Sequence, residues 1–235
     1  MTAPRFYARP GEHRHLLDVE PALASWDKVG SPGRARQDAF IDQACSVVVD
    51  SIAATADPLS IWLDVGLKDE VSLLALNDLD NYLFPFVPTL AKRTGRQFIS
   101  VWASKRHAER SSIAVGHALS VADPGGKYSF RVRTSVSAEK AAYKEAIRDQ
   151  VIAAAPLPEG GVALQLAFVV GLGRAWANLW KPTIDALGAV LGRDDGATEW
   201  NTRDGRITEL GLHCAIDPAR GHHVEIAVRA STANT

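Results

Sequence analysis

Apolar residues recur along this chain with two periodicities, and the whole pattern comes round twice. From Ala35 to Ala54 they fall three and four apart, which places Phe40, Ala44, Val47, Val48 and Ile52 on one helical face. Pro58 ends that segment, and Leu59 to Leu67 reads as a strand. Ser137 to Ala155 repeats the helical spacing with Tyr143, Ile147, Val151 and Ile152, Pro156 and Pro158 stop it, and Val162 to Val170 supplies the matching strand. Ile52-Ala53-Ala54 in the first helix has a counterpart in Ile152-Ala153-Ala154. Each half continues through a polar motif into a helix and closes on two strands. These are roughly Phe98–Ala103 with Ile113–Leu119, and Arg206–Ile216 with His223–Ala230. The pattern predicts an α+β protein of two helix-strand-helix-strand-strand units, 1–125 and 126–235.

The two polar motifs are alike in frame and unlike in chemistry. The first runs Asn77-Asp78-Leu79-Asp80-Asn81-Tyr82-Leu83-Phe84-Pro85, the second Gly173-Arg174-Ala175-Trp176-Ala177-Asn178-Leu179-Trp180-Lys181-Pro182. Superposing Asn81 on Asn178 also superposes the two prolines. It sets Asp78 and Asp80 opposite Ala175 and Ala177, and Lys181 opposite Phe84. One copy carries the acids and the other the base. Asp and Asn ahead of an apolar run serve as helix N-caps. Capping does not account for Asp78 and Asp80 together. Read at a strand end, two carboxylates one residue apart point the same way and repel unless a cation or proton lies between them. Oxygen donors of that kind suit Mg²⁺.

Composition narrows the classes. With 46% hydrophobic residues in 235, the chain can bury a core. Its longest apolar run, Val162 to Gly173, is interrupted by Gln165 and is too short to span a bilayer. No secretory signal is evident at the N-terminus, and two separated cysteines, Cys45 and Cys214, fit a reducing, cytoplasmic setting. The formal charge of −1 argues against an extensive nonspecific DNA footprint. It does not exclude a local one: Lys92, Arg93, Arg96, Lys105, Arg106 and Arg110 cluster in one short region, and with Arg174 in the second motif they read either as a solvated face or as a DNA contact. Gly171-Leu172-Gly173 lacks the rest of a dinucleotide-binding pattern. His213, His222 and His223 lack zinc-ligand spacing, and the last two read as a surface turn. Of six tryptophans, Trp62 and Trp102 read as core, and Trp176 with Trp180 as the exposed pair.

Asn178-Leu-Trp-Lys181-Pro182-Thr-Ile-Asp185-Ala-Leu187-Gly resembles the core signature of RusA-type Holliday junction resolvases. In that family an Asp-x-Asp-Asn segment leads through Lys-Pro into a helix carrying Asp-Ala-Leu. Trp200-Asn-Thr-Arg-Asp204-Gly-Arg-Ile207 is similar to its next element, an Asp shortly before a strand. The resemblance covers about 100 residues of the second unit, while the first shares Asp78-Leu-Asp80-Asn81. It implies a Mg²⁺-dependent endonuclease that cuts branched DNA as a homodimer, with the acids on metal and the lysine at the phosphate. Carried over, the acids are Asp78, Asp80 and Asp204 and the lysine is Lys181. Neither unit holds the full set, since Ala175 and Ala177 stand where the family has acids and Glu109 is the nearest acid to the third position in unit one.

Three arrangements follow. The units form a pseudo-dimer with one composite site; or the halves are degenerate and the chain binds DNA or a partner protein without cutting; or the two alanines are deliberate replacements in a second unit otherwise complete.

Overall fold

The computed structural model describes residues 2–11, 13–24, 28 and 30–233, so Trp26 lies outside the described residues. In chain order the elements are β1 (Phe6–Tyr7), β2 (Arg14–Leu16), α1 (Pro32–Ala54), β3 (Leu59–Leu67), α2 (Leu79–Thr94), β4 (Phe98–His107), β5 (Ser112–His117) and β6 (Ser120–Val121). There follow β7 (Tyr128–Thr134), α3 (Ala141–Val151), β8 (Val162–Val170), α4 (Trp180–Asp185), α5 (Gly188–Leu191), β9 (Ile207–Ile216) and β10 (Val224–Thr232). The architecture is α+β. Eight strands form one mixed sheet in the order β2-β5-β3-β4-β9-β8-β10-β7, and β1 pairs with β6 outside it.

The sheet repeats one pattern on either side of its centre. β3 runs parallel to β4 and antiparallel to β5, and β8 runs parallel to β9 and antiparallel to β10. Even the irregularity recurs. Leu59 pairs with Phe98 but Ser60 with Ser100, and Val162 pairs with Ile207 but Ala163 with Glu209, a one-residue bulge after the first pair of each ladder. The triplets meet where β4 runs antiparallel to β9, Ser100 opposite His213 and Ser104 opposite Glu209.

Side-chain alternation assigns the two faces of the sheet. Leu59, Ile61, Leu63 and Val65 of β3 and Leu164, Leu166, Phe168 and Val170 of β8 join the helices in one core that crosses residue 125 without a break. The opposite face is more polar. There Phe6 packs on Ala167 and Ala227, while Trp62 and Trp102 pack together. His213 sits between Ser100 and Gln165, and burial pushes its imidazole down to about 3. His222 and His223 lie in an exposed turn.

Local sequence explains the helix limits. α1 begins where Ser31 accepts a hydrogen bond from Arg34 N–H, with Pro32 in the first turn, and it buries Phe40, Ala44, Val48 and Ile52. α3 is shorter than the periodicity predicts. Its stripe is Tyr143, Ile147 and Val151, spaced by four, and Ile152 falls off the stripe at 65% exposed. From within the second motif the chain breaks into a 3₁₀ turn (Trp176–Leu179), α4 and α5, where the first half has the single helix α2. Trp180 is 1% exposed and Trp176 is partly buried against it, ring centroids 4.9 Å apart, so the expected exposed pair is largely core.

Candidate functional site

β3 ends at Leu67, eleven residues before Asp78, so the two acids of the first motif do not stand at a strand end. They begin a helix instead. Asp78 is the N-cap of α2, and Asp80 lies in its first turn. Asp78 makes no capping bond from its side chain; its Oδ2 accepts from the Asn81 amide at 3.0 Å. Asn81 is thus a partner of the cap rather than the cap. Leu76 and Asn77, just upstream, hold left-handed backbone angles (φ 57° and 53°), a costly conformation for leucine. It turns the chain sharply into the helix.

The second unit approaches this helix start with its own charges. Lys181 of α4 places Nζ 2.7 Å from Asp204 Oδ2, 3.1 Å from Asp185 Oδ1 and 3.8 Å from Asp80 Oδ2. Asp204 lies in a 3₁₀ turn immediately before β9, the strand that crosses to β4. The structure therefore brings Asp78, Asp80, Lys181 and Asp204 together across the two repeats. Sequence reasoning left Asp185 without a role. Its spacing of four from Lys181 on a helix was the available signal.

Lys105 occupies a different position from the one its neighbours suggest. Its side chain enters the core face of β4 after Val101 and Ala103, 4% exposed, and Nζ donates to the carbonyls of Leu76 (3.2 Å), Asn77 (3.1 Å) and Gly205 (2.5 Å). One ammonium thus ties the loop before Asp78 to the turn after Asp204. It is a clamp between the repeats rather than part of an exposed basic surface. A lysine in the inward register of an apolar strand was the signal for it.

Burial dominates the electrostatics. It pushes the Asp80 carboxyl up to about 7, against the pull of Lys181 and helped by the negative charges of Asp204, Asp78 and Asp185. Asp78 is raised for the same first reason, with Asp204 adding to it. Burial alone would lower Lys181, but Asp80, Asp204 and Asp185 outweigh it and hold the ammonium well above its ordinary range. Lys105 is pushed down to about 8 by burial. Asp80 Oδ2 has no hydrogen-bond partner, since 3.8 Å from Lys181 is too long for one. A buried carboxylate oxygen without a donor costs free energy unless a proton or cation reaches it.

That oxygen, with Asp78 and Asp204 in electrostatic range, is of the donor chemistry that a hard divalent cation takes. Among the described residues no group of three or more His, Cys, Asp or Glu side chains stands ready-arranged as a ligand set. Asp80, Asp185 and Asp204 are drawn onto Lys181 instead.

The other basic residues separate. Arg93 pairs with Asp42 at 2.6 Å, and Arg96 with Asp57 at 2.8 Å and with two carbonyls at the end of α1. Arg106 pairs with buried Asp64 at 2.8 Å, and Arg110 with Asp18. The first two precede β4 and the last two lie at its far end. A ten-residue strand holds these ends about 30 Å apart. Contiguity in sequence does not make one patch here. Glu109 lies exposed in the turn after β4.

Lys92 and Arg174 behave differently. Neither is in an ion pair among the described residues, and both line a groove of about 280 Å³ with Gln97, Ala175 and Ala177. The alanines of the second motif thus look onto the C-terminal half of α2, while Lys181 and Asp204 turn to Asp80.

Among the described residues no helix is long and apolar enough to cross a membrane. No protein-family model matches this chain, and no curated protein matches it either, so the resemblance to the RusA-type resolvases rests on the motif residues quoted above.

Proposed function

We propose that this chain is a Mg²⁺-dependent, structure-selective endonuclease acting on branched DNA in the cytoplasm, built from two RusA-like units fused as a pseudo-dimer. One observation carries the reading: acids Asp78 and Asp80 of the first repeat meet Lys181 and Asp204 of the second within one charged cluster. The repeated ladder with its repeated bulge supports the fusion, and the antiparallel β4–β9 seam is where the two units would pair.

Asp78, Asp80 and Asp204 would hold the cation, which when bound supplies charge stabilisation and a more acidic water at a scissile phosphate. The chain's own groups do the rest. Lys181, kept cationic by three carboxylates, presents an ammonium with its side chain 40% exposed where negative charge develops on the phosphate. Lys105 fixes the backbones on both sides of the cluster, so the acids and the lysine arrive already positioned.

A labelled four-way junction and a matched linear duplex, each incubated with Mg²⁺ or with EDTA, test the reading. Metal-dependent cutting of the junction is expected, with a loss of about 100-fold or more in Lys181→Met. Metal-dependent cutting absent at high protein concentration sinks the nuclease reading. A second reading, a non-cleaving DNA-binding or protein-interaction subunit, is favoured by the ion pairs that tie Asp185 and Asp204 to Lys181. Retained junction binding without cutting is its signature.

A further inference from the structure

The repeat that builds the carboxylate cluster also defines its counterpart. Exchanging the two halves carries the start of α2 onto the second motif, and the start of β9 onto the start of β4. Asp78 and Asp80 then fall on Ala175 and Ala177, Asp185 on Pro88, and the turn around Asp204 on the segment ending at Gln97. Those residues line the groove described above. It is the second composite position, and every acid has gone from it.

What remains there is positive. Among the described residues the groove is lined by no carboxylate, and its two charged residues are Lys92 and Arg174. The other basic residues near this end, Arg93 and Arg96, are consumed by Asp42 and Asp57. The floor includes Trp180, whose indole N–H is buried without a partner, and Trp176 leans beside it, partly exposed. Two cations outside any ion pair and no acid make a receptor for an anion.

We propose that this groove is a non-cleaving site for the phosphate backbone of a second DNA segment, so that each molecule cuts one strand while holding another. The inference rests on the endonuclease reading of the carboxylate cluster. Lys92 lies twelve residues along α2 from Asp80, about 18 Å at the rise of a helix. The molecule thereby offers a cutting position and a holding position at opposite ends of one helix. Loss of the acids removes both the repulsion of phosphate and the means to hold a metal. The cations that remain supply binding alone.

The test uses the full chain and a four-way junction with each strand labelled in turn, alongside a linear duplex. Binding is measured in EDTA over a salt series and cleavage in Mg²⁺. Lys92→Ala with Arg174→Ala is expected to weaken junction binding about 10-fold and to reduce the log–log salt slope by about 2, one for each lost phosphate contact. Linear duplex binding is expected to move by less than 2-fold. Lys92→Arg with Arg174→Lys restores the slope, which separates a charge effect from misfolding. Wild-type product is expected to be a nick in a single strand per bound molecule. An unchanged slope in the alanine double variant, or paired cuts by one molecule, overturns the proposal. If the wild type binds the junction through Lys92 and Arg174 yet never cuts, the endonuclease reading fails and the holding site stands. If it does not bind the junction at all, both fail.

Discussion

Asp80 is the residue on which the site turns, because it is an acid buried to 2% exposure with one oxygen lacking a donor. Its folded-state carboxyl is raised from 3.8 to about 7, so its contribution to stability is complete below the unfolded value and is lost as pH rises through about 7. Asp80→Asn removes that loss. In EDTA the variant is therefore expected to gain stability over the wild type between pH 4 and pH 8, by up to about 4 kcal/mol, while losing cleavage. Urea unfolding at the two pH values checks it. A constant difference between variant and wild type across that window would show that Asp80 titrates normally.

At the scale of elements, the decisive junction is the contact between the loop before α2 and the 3₁₀ turn before β9. Gly205 makes it possible. A Cβ there would meet Leu76 N at 2.8 Å and Leu76 O at 3.3 Å, backbone atoms that cannot swing aside. The same carbonyl of Leu76 accepts from Lys105, so displacing the loop also strains the clamp. Gly205→Ala is expected to cost about 1–3 kcal/mol. It should lower cleavage far more than DNA binding, since Asp78 and Asp80 would retreat from Asp204 while Lys92 and Arg174 stay in place. Chemical denaturation and junction binding in EDTA, measured on the same preparation, separate the two effects. Equal loss of binding and cutting would mean that the loop contact serves overall folding alone.

At the scale of the whole molecule, one sheet joins two repeats and leaves them with unequal positions. Ala175→Asp with Ala177→Asp, placed in an Asp80→Asn background, is expected to restore no cleavage. The new carboxylates would face Pro88 and Gln97, and Lys181 and Asp204 are committed to the other end of α2. Recovered cutting in a strand-resolved junction assay would show that the second unit carries a site of its own. The geometry runs against the idea of a complete second unit spoiled at two positions.

Much of this architecture was legible in the chain. Helical spacing, prolines and β-rich runs placed α1, β3, β8, β9 and β10 within a few residues, because each depends on local periodicity and local breakers. The aligned motifs showed that acids and base were divided between two copies. Local pattern could not place Asp78 and Asp80 in a helix start, since the intervening loop turns through the left-handed Leu76 and Asn77. Nor could it show that Lys105 points inward, or that Arg96 and Arg106, ten positions apart, are held about 30 Å apart by a strand. The sequence determined the elements, their repetition and the division of chemical groups, all set by neighbours along the chain. Only the tertiary structure decided which halves meet, because the antiparallel seam of β4 and β9 carries Asp204 to Asp80 and leaves Ala175 and Ala177 facing Lys92.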